Sequence, residues 1–187
     1  NKNWHIEMHK KIIENQFSKQ EKIQIGSNFK MPLTFENKIK SINNSFQPAG
    51  ETNAYKYLKS FLDKRISGYA FDISKPLKSR NSCSRLSPYI SWGNLNIRIV
   101  YQHLLELKKK RKNLRSINAV LSRLHWHCHF IQKFEVDCSY ENENINKGFN
   151  TLSRKKNDKF IEAWENGMTG YPLIDANIRA VKETGWI

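Results

Sequence analysis

The amino-acid sequence predicts an all-α fold, an irregular bundle of several helices. Apolar residues recur at helical spacing in several segments, and none shows the sustained two-residue alternation of a half-buried strand. Prolines and glycines also occur where helices would begin and end. At 187 residues, with 39% hydrophobic and 12% aromatic residues, the chain is long enough to bury one ordinary core.

Residues 1–47 are predicted to form an arm or a connector rather than a domain. Ile6, Ile13 and Phe17 are roughly periodic and indicate a helix near the start. The stretch that follows is polar and is interrupted by Pro32, which argues against a folded unit of its own.

Residues 48–187 are predicted to form one helical domain. Its first helix is predicted by the apolar stripe of Ala54, Leu58, Phe61 and Leu62. A loop that contains several serines is expected to follow at 67–84.

Two helices are predicted on either side of Gly93. Ser87 is expected as the N-cap of the first, short helix and Pro88 as its first helical residue. The second helix is expected to end in the basic run 108–112, which could contact phosphates, although a solvated helix end is the more common meaning of such a run. The core-facing residues of this second helix are predicted to be Ile97, Tyr101, Leu104 and Leu105.

The strongest helix is predicted at 114–134, and two shorter helices follow a polar stretch. One is expected at 158–165, with Gly167 at its end, and the last begins near Pro172 and is capped by Gly185. The apolar residues expected to face the core are Ile117, Leu121, Leu124, Cys128 and Ile131 in the first, Phe160, Ile161 and Trp164 in the second, and Ile174, Ile178 and Val181 in the third.

The composition points to a basic, intracellular protein. A net charge of +15 favours a polyanionic partner, with nucleic acid the first choice and simple solubility the alternative. The three cysteines are an odd number without framework spacing, which indicates reduced thiols and a cytoplasmic location. The sequence shows no signal peptide and no run of membrane-spanning length, so no membrane partner is expected.

The segment LHWHCHFIQKFE raises the question of a metal site. Helical geometry places His125 and His129 on one face but sends His127 and Cys128 elsewhere, so no metal is expected. Trp126 and Phe130 lie on another face than the main aliphatic stripe. These two aromatic residues are either a second core contact or a platform that can stack on a flat ring, and both interpretations stay open.

The segment NSCSRLSPYISWG combines small hydroxyls, an arginine and a helix start. Its backbone amides, with Ser84 and Ser87 nearby, could bind an anion, but simple capping by Ser87 is the more ordinary interpretation. The sequence contains no phosphate-loop motif and no nucleophile motif, and spacing recommends no catalytic carboxylate pair.

Together, three stretches resemble the flavin-binding helical domain of the photolyase/cryptochrome family. The segment CSRLSPYISWGNLNIRIVY resembles the family motif TSRLSPYLxxGxLSxR, and AWENGMTGYPLIDANIRAVKETGWI resembles AWxxGxTGxPxVDAxMRxLxxTGWM. Between them, RLHWHCHFIQKFE stands in the place of the family's WREFY helix. The resemblance runs from about Pro48 to Ile187, and the WHCHF variant indicates a divergent branch.

The resemblance implies that FAD is the cofactor, bound in a U shape by the helical domain, and that a basic groove binds DNA. Trp126 would pack against a damaged pyrimidine pair, with Arg123 and His127 beside it. Cys83 stands where the family usually has threonine, which removes one hydroxyl contact to the cofactor. By position, the implied FAD-binding residues are Tyr69, Ser84, Arg85, Leu86 and Ser87.

The implied activity is that of a deoxyribodipyrimidine photolyase, a lyase that uses light and reduced FAD to repair ultraviolet-induced pyrimidine dimers in DNA. Arg123 replaces a glutamate of the family and His127 an arginine, and an arginine cannot accept hydrogen bonds from a flipped base. This departure favours the alternatives, a cryptochrome-type blue-light photoreceptor or a non-catalytic nucleic-acid-binding helical domain.

The resemblance also implies that further parts of the same protein flank this chain. In the family an α/β antenna domain precedes the helical domain, so residues 1–47 are expected to be its exit linker. Many of the family's flavin contacts come after the TGW motif. We therefore expect residues 1–187 alone to bind FAD weakly or not at all, and the isolated fragment to be inactive.

Overall fold

The structure is a computed structural model that describes residues 32–41 and 45–187. In these ranges all regular secondary structure is helical, which confirms the predicted all-α class. The helix predicted around Ile6 to Phe17 lies outside the described residues. None of the described helices is both long and apolar enough to cross a membrane.

In chain order the described helices are α1 (Leu33–Lys40), α2 (Glu51–Ser60), a π-helix (Phe61–Arg65), α3 (Ile66–Asp72), α4 (Pro76–Ser82), α5 (Ser87–Ser91), α6 (Ile97–Lys109), α7 (Leu114–Val136), α8 (Asp158–Glu165) and α9 (Pro172–Thr184). From α2 to α7 they follow one another with short connections, whereas a longer polar stretch, 137–157, separates α7 from α8. Two short 3-10 helices, Cys138–Glu141 and Lys147–Thr151, lie in the polar stretch between α7 and α8.

Helix α1 lies within the segment that was predicted to be a connector. It begins directly after Pro32, which shows that this proline precedes a helix instead of interrupting one. No side chain of α1 is buried, so the helix adds nothing to the core of the described residues.

The predicted loop at 67–84 is wrong, because helix continues through most of it. The π-helix leads directly into α3, and α4 fills Pro76–Ser82. Gly68 misled the prediction: a Cβ atom at this position would lie 3.3 Å from the Cβ of Ser82. The glycine therefore allows α3 and α4 to approach closely instead of ending a helix.

The hydrophobic core is built by α2 through α7. Leu104 of α6 and Ile117 of α7 are completely buried, as are Ala54 of α2 and Phe61 of the π-helix. The other predicted core residues that are buried are Leu58, Tyr101 and Leu121, whereas Ile97, Leu105, Leu124, Cys128 and Ile178 are half-buried. The helical periodicity of α2, α6 and the first half of α7 thus predicted the core correctly.

The apolar faces of α8 and α9 are exposed, contrary to the prediction. Phe160 is 73% exposed and Trp164 60% exposed. The same correction applies to Ile161, Ile174 and Val181 of these helices, and also to Ile131 in the second half of α7. For α8 and α9 the reason is that they mainly contact each other and not the core formed by α2 to α7.

Three helix ends show how the local sequence acts. Gly93 and Gly185 both adopt the left-handed conformation, with φ of 70° and 67°, which confirms them as helix terminators. The predicted N-cap of α5 is off by one residue, because Leu86 occupies that position and Ser87 is the first helical residue. Leu86 is only 2% exposed, so burial of its side chain positions the start of this helix.

Asp175 organises the turn that leads into α9. Its carboxylate accepts hydrogen bonds from the Thr169 amide at 2.8 Å, from the Thr169 hydroxyl at 2.6 Å and from the Gly170 amide at 3.1 Å. These bonds, led by the Thr169 hydroxyl, lower the pKa of Asp175. The conspicuous TGYPLID segment is therefore a self-contained helix start.

We expect Leu104→Ala to lower the free energy of unfolding by about 2 to 5 kcal/mol, because it opens a cavity in the core. Leu77→Ala in α4 is the matched control, since Leu77 is 83% exposed and its loss should change stability by about 0.5 kcal/mol or less. Urea unfolding monitored by circular dichroism measures both. Equal losses in the two variants would contradict the core assignment.

We expect the stabilisation provided by Asp175 to depend on acidity. Because the folded-state pKa lies below the ordinary value of 3.8, the contribution is complete above about pH 4 and is lost as the pH falls through the lower, folded-state pKa. The difference in unfolding free energy between the parent and Asp175→Asn should thus be constant near neutrality and shrink in acid. Urea unfolding of both proteins from pH 7 to pH 2 tests this, and a difference that does not change with pH would refute it.

Candidate functional site

A tight loop at residues 83–86, between α4 and α5, holds most of the predicted cofactor-binding residues. Arg85 adopts the left-handed conformation with φ of 56°, which is uncommon for a residue with a side chain. The Arg85 carbonyl accepts a hydrogen bond from Gln47 Nε2 at 2.8 Å, and the Tyr89 hydroxyl donates to the Pro48 carbonyl at 2.7 Å. The loop is therefore held from the outside by the segment that precedes α2.

Arg65 holds the same loop from the inside. Its guanidinium donates to the Cys83 carbonyl, to the Tyr57 carbonyl at 2.8 Å and to the Ser60 hydroxyl at 3.3 Å. The same group lies 5.8 Å from the ring centre of Tyr57 and 5.7 Å from that of Phe61. Arg65 thus links the end of α2 and the π-helix to the start of the loop.

Burial and the neighbouring Arg85 lower the pKa of Arg65. A guanidinium nevertheless keeps its proton in proteins, so the loop lies in a positively charged environment. Burial raises the pKa of the Cys83 thiol, with Arg65 and Arg85 opposing the shift. The thiol is therefore neutral near pH 7, and it adds no negative charge to the loop.

The predicted cofactor residues in the loop differ in exposure. Leu86 is buried, Ser84 and Arg85 are half-buried, and Ser87 is exposed. The Ser84 hydroxyl accepts a hydrogen bond from the Leu86 amide at 3.4 Å, which leaves its own hydrogen available for a ligand. Arg85 Nε is buried and has no hydrogen-bond partner among the described residues.

Tyr69 lies on α3 and connects this loop to α7. The side chain is buried and meets the ring of Phe61 edge-on at 5.6 Å. Burial, followed by Cys83, raises the pKa of Tyr69, and Arg123 of α7 opposes the shift. Tyr69 is therefore close enough to both Cys83 and Arg123 for their charges to affect its ionisation.

The three residues predicted to contact DNA lie on one exposed side of α7. Relative to Arg123, Trp126 and His127 follow at +3 and +4, and Phe130 at +7, so these side chains share a helical face. Trp126 is 53% exposed, and its ring centre lies 5.7 Å from that of Phe130 with an interplanar angle of 33°. Of the two interpretations of this aromatic pair, burial against a second core is wrong for the described residues, and the platform interpretation remains.

The histidines and the cysteine of the same helix do not converge. Among residues 32–41 and 45–187, no group of three or more potential ligands is placed to hold a metal ion. His125 turns inward and packs near Tyr101, with ring centres 5.7 Å apart. Burial raises the pKa of the half-buried Cys128 thiol, which keeps it neutral and unreactive.

Sequence reasoning missed two contributors to the site. Arg65 follows Leu58 by seven residues and Phe61 by four, so it lies on the apolar face of the helix. An arginine at such a position was the signal in the sequence that its side chain turns toward the core. Trp186 was also missed: its ring lies 4.9 Å from the Arg85 guanidinium, which brings the end of α9 to the loop. No local pattern in the sequence announces that contact.

Comparison with known proteins assigns this arrangement to a family. Residues 120–187 match the model of the FAD-binding domain of DNA photolyase. The chain is 32% identical over 155 residues to a deoxyribodipyrimidine photo-lyase of Alkalihalophilus pseudofirmus, an alignment that covers 82% of this chain and 31% of the relative. It is 28% identical over 151 residues to cryptochrome-1 of Spalax judaei, covering 78% of this chain and 25% of that protein.

A solved structure agrees with the sequence matches. The class III photolyase from Agrobacterium tumefaciens aligns with a TM-score of 0.67 and 27% identity, over 74% of this chain and 28% of that one. The chain thus spans about a third or less of the length of these proteins.

The fold and the matches define an all-helical FAD-binding domain, or a part of one, which confirms FAD as the cofactor of this domain. The chain belongs to the photolyase/cryptochrome family. The resemblance inferred from its motifs is therefore confirmed.

We expect Arg65→Lys to loosen the loop at 83–86, because a lysine cannot reproduce the divergent bonds of a guanidinium. The unfolding free energy should fall by about 2 kcal/mol, the scale of a single charge-assisted hydrogen bond. Arg80→Lys on the exposed side of α4 is the control and should be neutral. Hydrogen exchange of the Leu86 amide measures the local effect, and unchanged exchange in Arg65→Lys would contradict the role of Arg65.

Proposed function

We propose that this chain is part of a photolyase-like flavoprotein that repairs ultraviolet-induced pyrimidine dimers in DNA by light-driven electron transfer from reduced FAD. The observation that carries the proposal is the exposed Trp126 face of α7, because α7 packs against α3, which carries Tyr69, and α3 packs in turn against α4, which leads into the loop at 83–86. A base-stacking surface and a cofactor loop therefore lie on neighbouring elements. The photolyase relatives support the same activity.

The loop at 83–86 has the donor chemistry that the diphosphate of FAD requires. Ser84 and Ser87 offer hydroxyls, and the Ser87 and Tyr89 amides precede the first helical bond of α5, which the Ile90 amide donates to the Leu86 carbonyl. Arg85 adds a positive charge and an unpartnered buried Nε. We assign these residues, together with the Leu86 backbone, to FAD phosphate binding, and Tyr69 to the wall of the cofactor site.

Some residues of the site would contact FAD directly, and others would hold the loop at 83–86 in position. When bound, reduced FAD supplies the electron that splits the dimer. Ser84 and Ser87 would contact the cofactor, whereas Arg65 would act as a positioning residue through the Cys83 carbonyl. The neutral Cys83 thiol avoids repulsion of the phosphates, even though it lacks the hydroxyl that threonine would contribute.

The face of α7 is assigned to the damaged DNA. A dimer that leaves the base stack exposes flat surfaces that an indole can cover, and stacking on one aromatic residue is worth about 1 to 3 kcal/mol. Arg123 can donate hydrogen bonds to base carbonyls or to phosphates but cannot accept them. His127 is also exposed on this face and offers either a donor or an acceptor.

A cryptochrome-type photoreceptor is the second candidate. Its support is the match to cryptochrome-1 and the presence of Arg123 and His127 where photolyases of the resembled type carry glutamate and arginine. The two functions differ in a measurable way, because a photolyase restores irradiated DNA under blue light and a photoreceptor leaves the dimers intact. A nucleic-acid-binding domain without catalysis would bind DNA equally in light and darkness.

We expect Trp126→Ala, made in the protein that contains this chain, to weaken binding of dimer-containing DNA about 5- to 150-fold, the equivalent of the stacking energy of one base. FAD content, measured by absorbance, should change little. Trp92→Ala is the matched control because Trp92 is also exposed but belongs to the end of α5 and not to α7.

Two results decide the proposal. If Trp126→Ala, Trp92→Ala and the parent bind damaged DNA equally, the assignment of Trp126 to base stacking is wrong. Failure of the FAD-loaded parent to lower the number of dimers under blue light would reject repair and favour the photoreceptor.

A further inference from the structure

The basic run at the turn between α6 and α7 is ordered, and its cations project from a defined backbone. The Lys110 amide donates to the Leu107 carbonyl at 3.1 Å, and the Arg111 amide donates to the Lys108 carbonyl at 3.0 Å. Arg111 adopts the left-handed conformation, with φ of 54°. We call the residues 108–112 the basic turn.

The charges of the basic turn are not neutralised within the described chain. All five residues, Lys108, Lys109, Lys110, Arg111 and Lys112, are exposed. The ion pairs of the described residues join Lys75 to Asp72, Lys147 to Glu143 and Lys156 to Asp158, and none includes the basic turn. The first turn of α7, which follows directly, contains no acidic side chain. A concentration of positive charge therefore persists at this end of α7.

Arg115 joins the basic turn to the side of α7 that carries Trp126. At 100° per residue, Trp126 lies about 20° around the helix from Arg115, and Lys133 lies at about 0°. The three exposed side chains thus form a row about 27 Å long, with Trp126 about 17 Å from Arg115 at a rise of 1.5 Å per residue.

The Arg115 guanidinium is also held in place. It lies 4.8 Å from the ring centre of Phe71 on α3. Stacking on an aromatic face leaves the N–H edge of a guanidinium free to bind a phosphate. Arg115 therefore extends the charged surface without competing for an internal acceptor.

We infer that the basic turn and Arg115 form a phosphate-binding surface for duplex DNA, at a distance from the lesion-stacking residue Trp126 on the same helix. This inference rests on the proposed function, and it adds a contact to undamaged backbone on one side of the lesion. A row of about 27 Å matches roughly eight base pairs at 3.4 Å per step along one strand. In this row an exposed indole lies between cations, an arrangement that suits DNA because its phosphates bind cations and its bases stack on aromatic rings. An acidic protein segment offers no bases that would stack on Trp126.

The test compares two triple variants of the protein that contains this chain. Lys109→Gln with Lys110→Gln and Lys112→Gln removes three charges from the basic turn. Lys38→Gln with Lys40→Gln and Lys155→Gln removes three exposed charges elsewhere, so the net charge of this chain falls from +15 to +12 in both. Binding of an undamaged 20-base-pair duplex is measured between 50 and 200 mM salt.

We expect the slope of log K against log salt to become shallower by about 0.9 for each phosphate that the protein no longer neutralises, so by about 2 to 3 in the basic-turn variant. The control variant should keep the slope of the parent. Matching circular dichroism spectra confirm that both variants remain folded. Equal slopes for the two variants, with a parent that binds the duplex, overturn the inference while leaving repair and Trp126 untouched.

Other outcomes are equally decisive. A parent that does not bind duplex DNA at 50 mM salt overturns this inference together with the DNA partner of the proposed function. A basic-turn variant that keeps the parental DNA slope but loses binding to polyglutamate overturns it in favour of an acidic protein partner. A parent that binds duplex through the basic turn but repairs no dimers supports the surface and rejects repair.

Discussion

The candidate site depends on one half-buried cation, Arg65. A guanidinium partly removed from water needs acceptors, and here it finds the carbonyls of Cys83 and Tyr57 together with the rings of Tyr57 and Phe61. These contacts join α2 and the π-helix to the loop at 83–86, so the core and the loop are positioned together. A loop that carries an arginine in the left-handed conformation needs such support, because its backbone is not at its own minimum.

Helix α7 belongs to the core in its first half and to the surface in its second. Ile117 and Leu121 are buried against α3 and α6, whereas Trp126 and Phe130 are exposed. The residues assigned to DNA therefore lie on the same helix whose first half is anchored in the core. The stacking face does not rest on a loop, which favours a fixed geometry for recognition.

The sequence predicted most helices and the buried stripes, but the site only in part. Periodicity located α7 and the glycine signal located the end of α9, because both are local properties. The segment around Gly68 predicts a loop wrongly, because glycine occurs both in loops and where two helices pack closely, and the sequence does not distinguish the two. The contact between Arg85 and Trp186 joins residues about a hundred positions apart, and no periodicity encodes it. The family motifs identified the loop at 83–86, but they did not reveal its supporting arginine.

The π-helix has a consequence for how this domain tolerates change in length. Its wide turn, in which the Ile66 amide donates to the Phe61 carbonyl, accommodates one residue more than an α-helical turn would. Loss of a single residue there would restore regular winding and leave the downstream side chains in place, whereas winding all of the present residues as an α-helix would rotate everything downstream by about 100°. Tyr69 would then leave the side of α3 that faces Cys83. The orientation of this tyrosine toward the cofactor loop is thus encoded by the wide turn before it as much as by the identity of the residues.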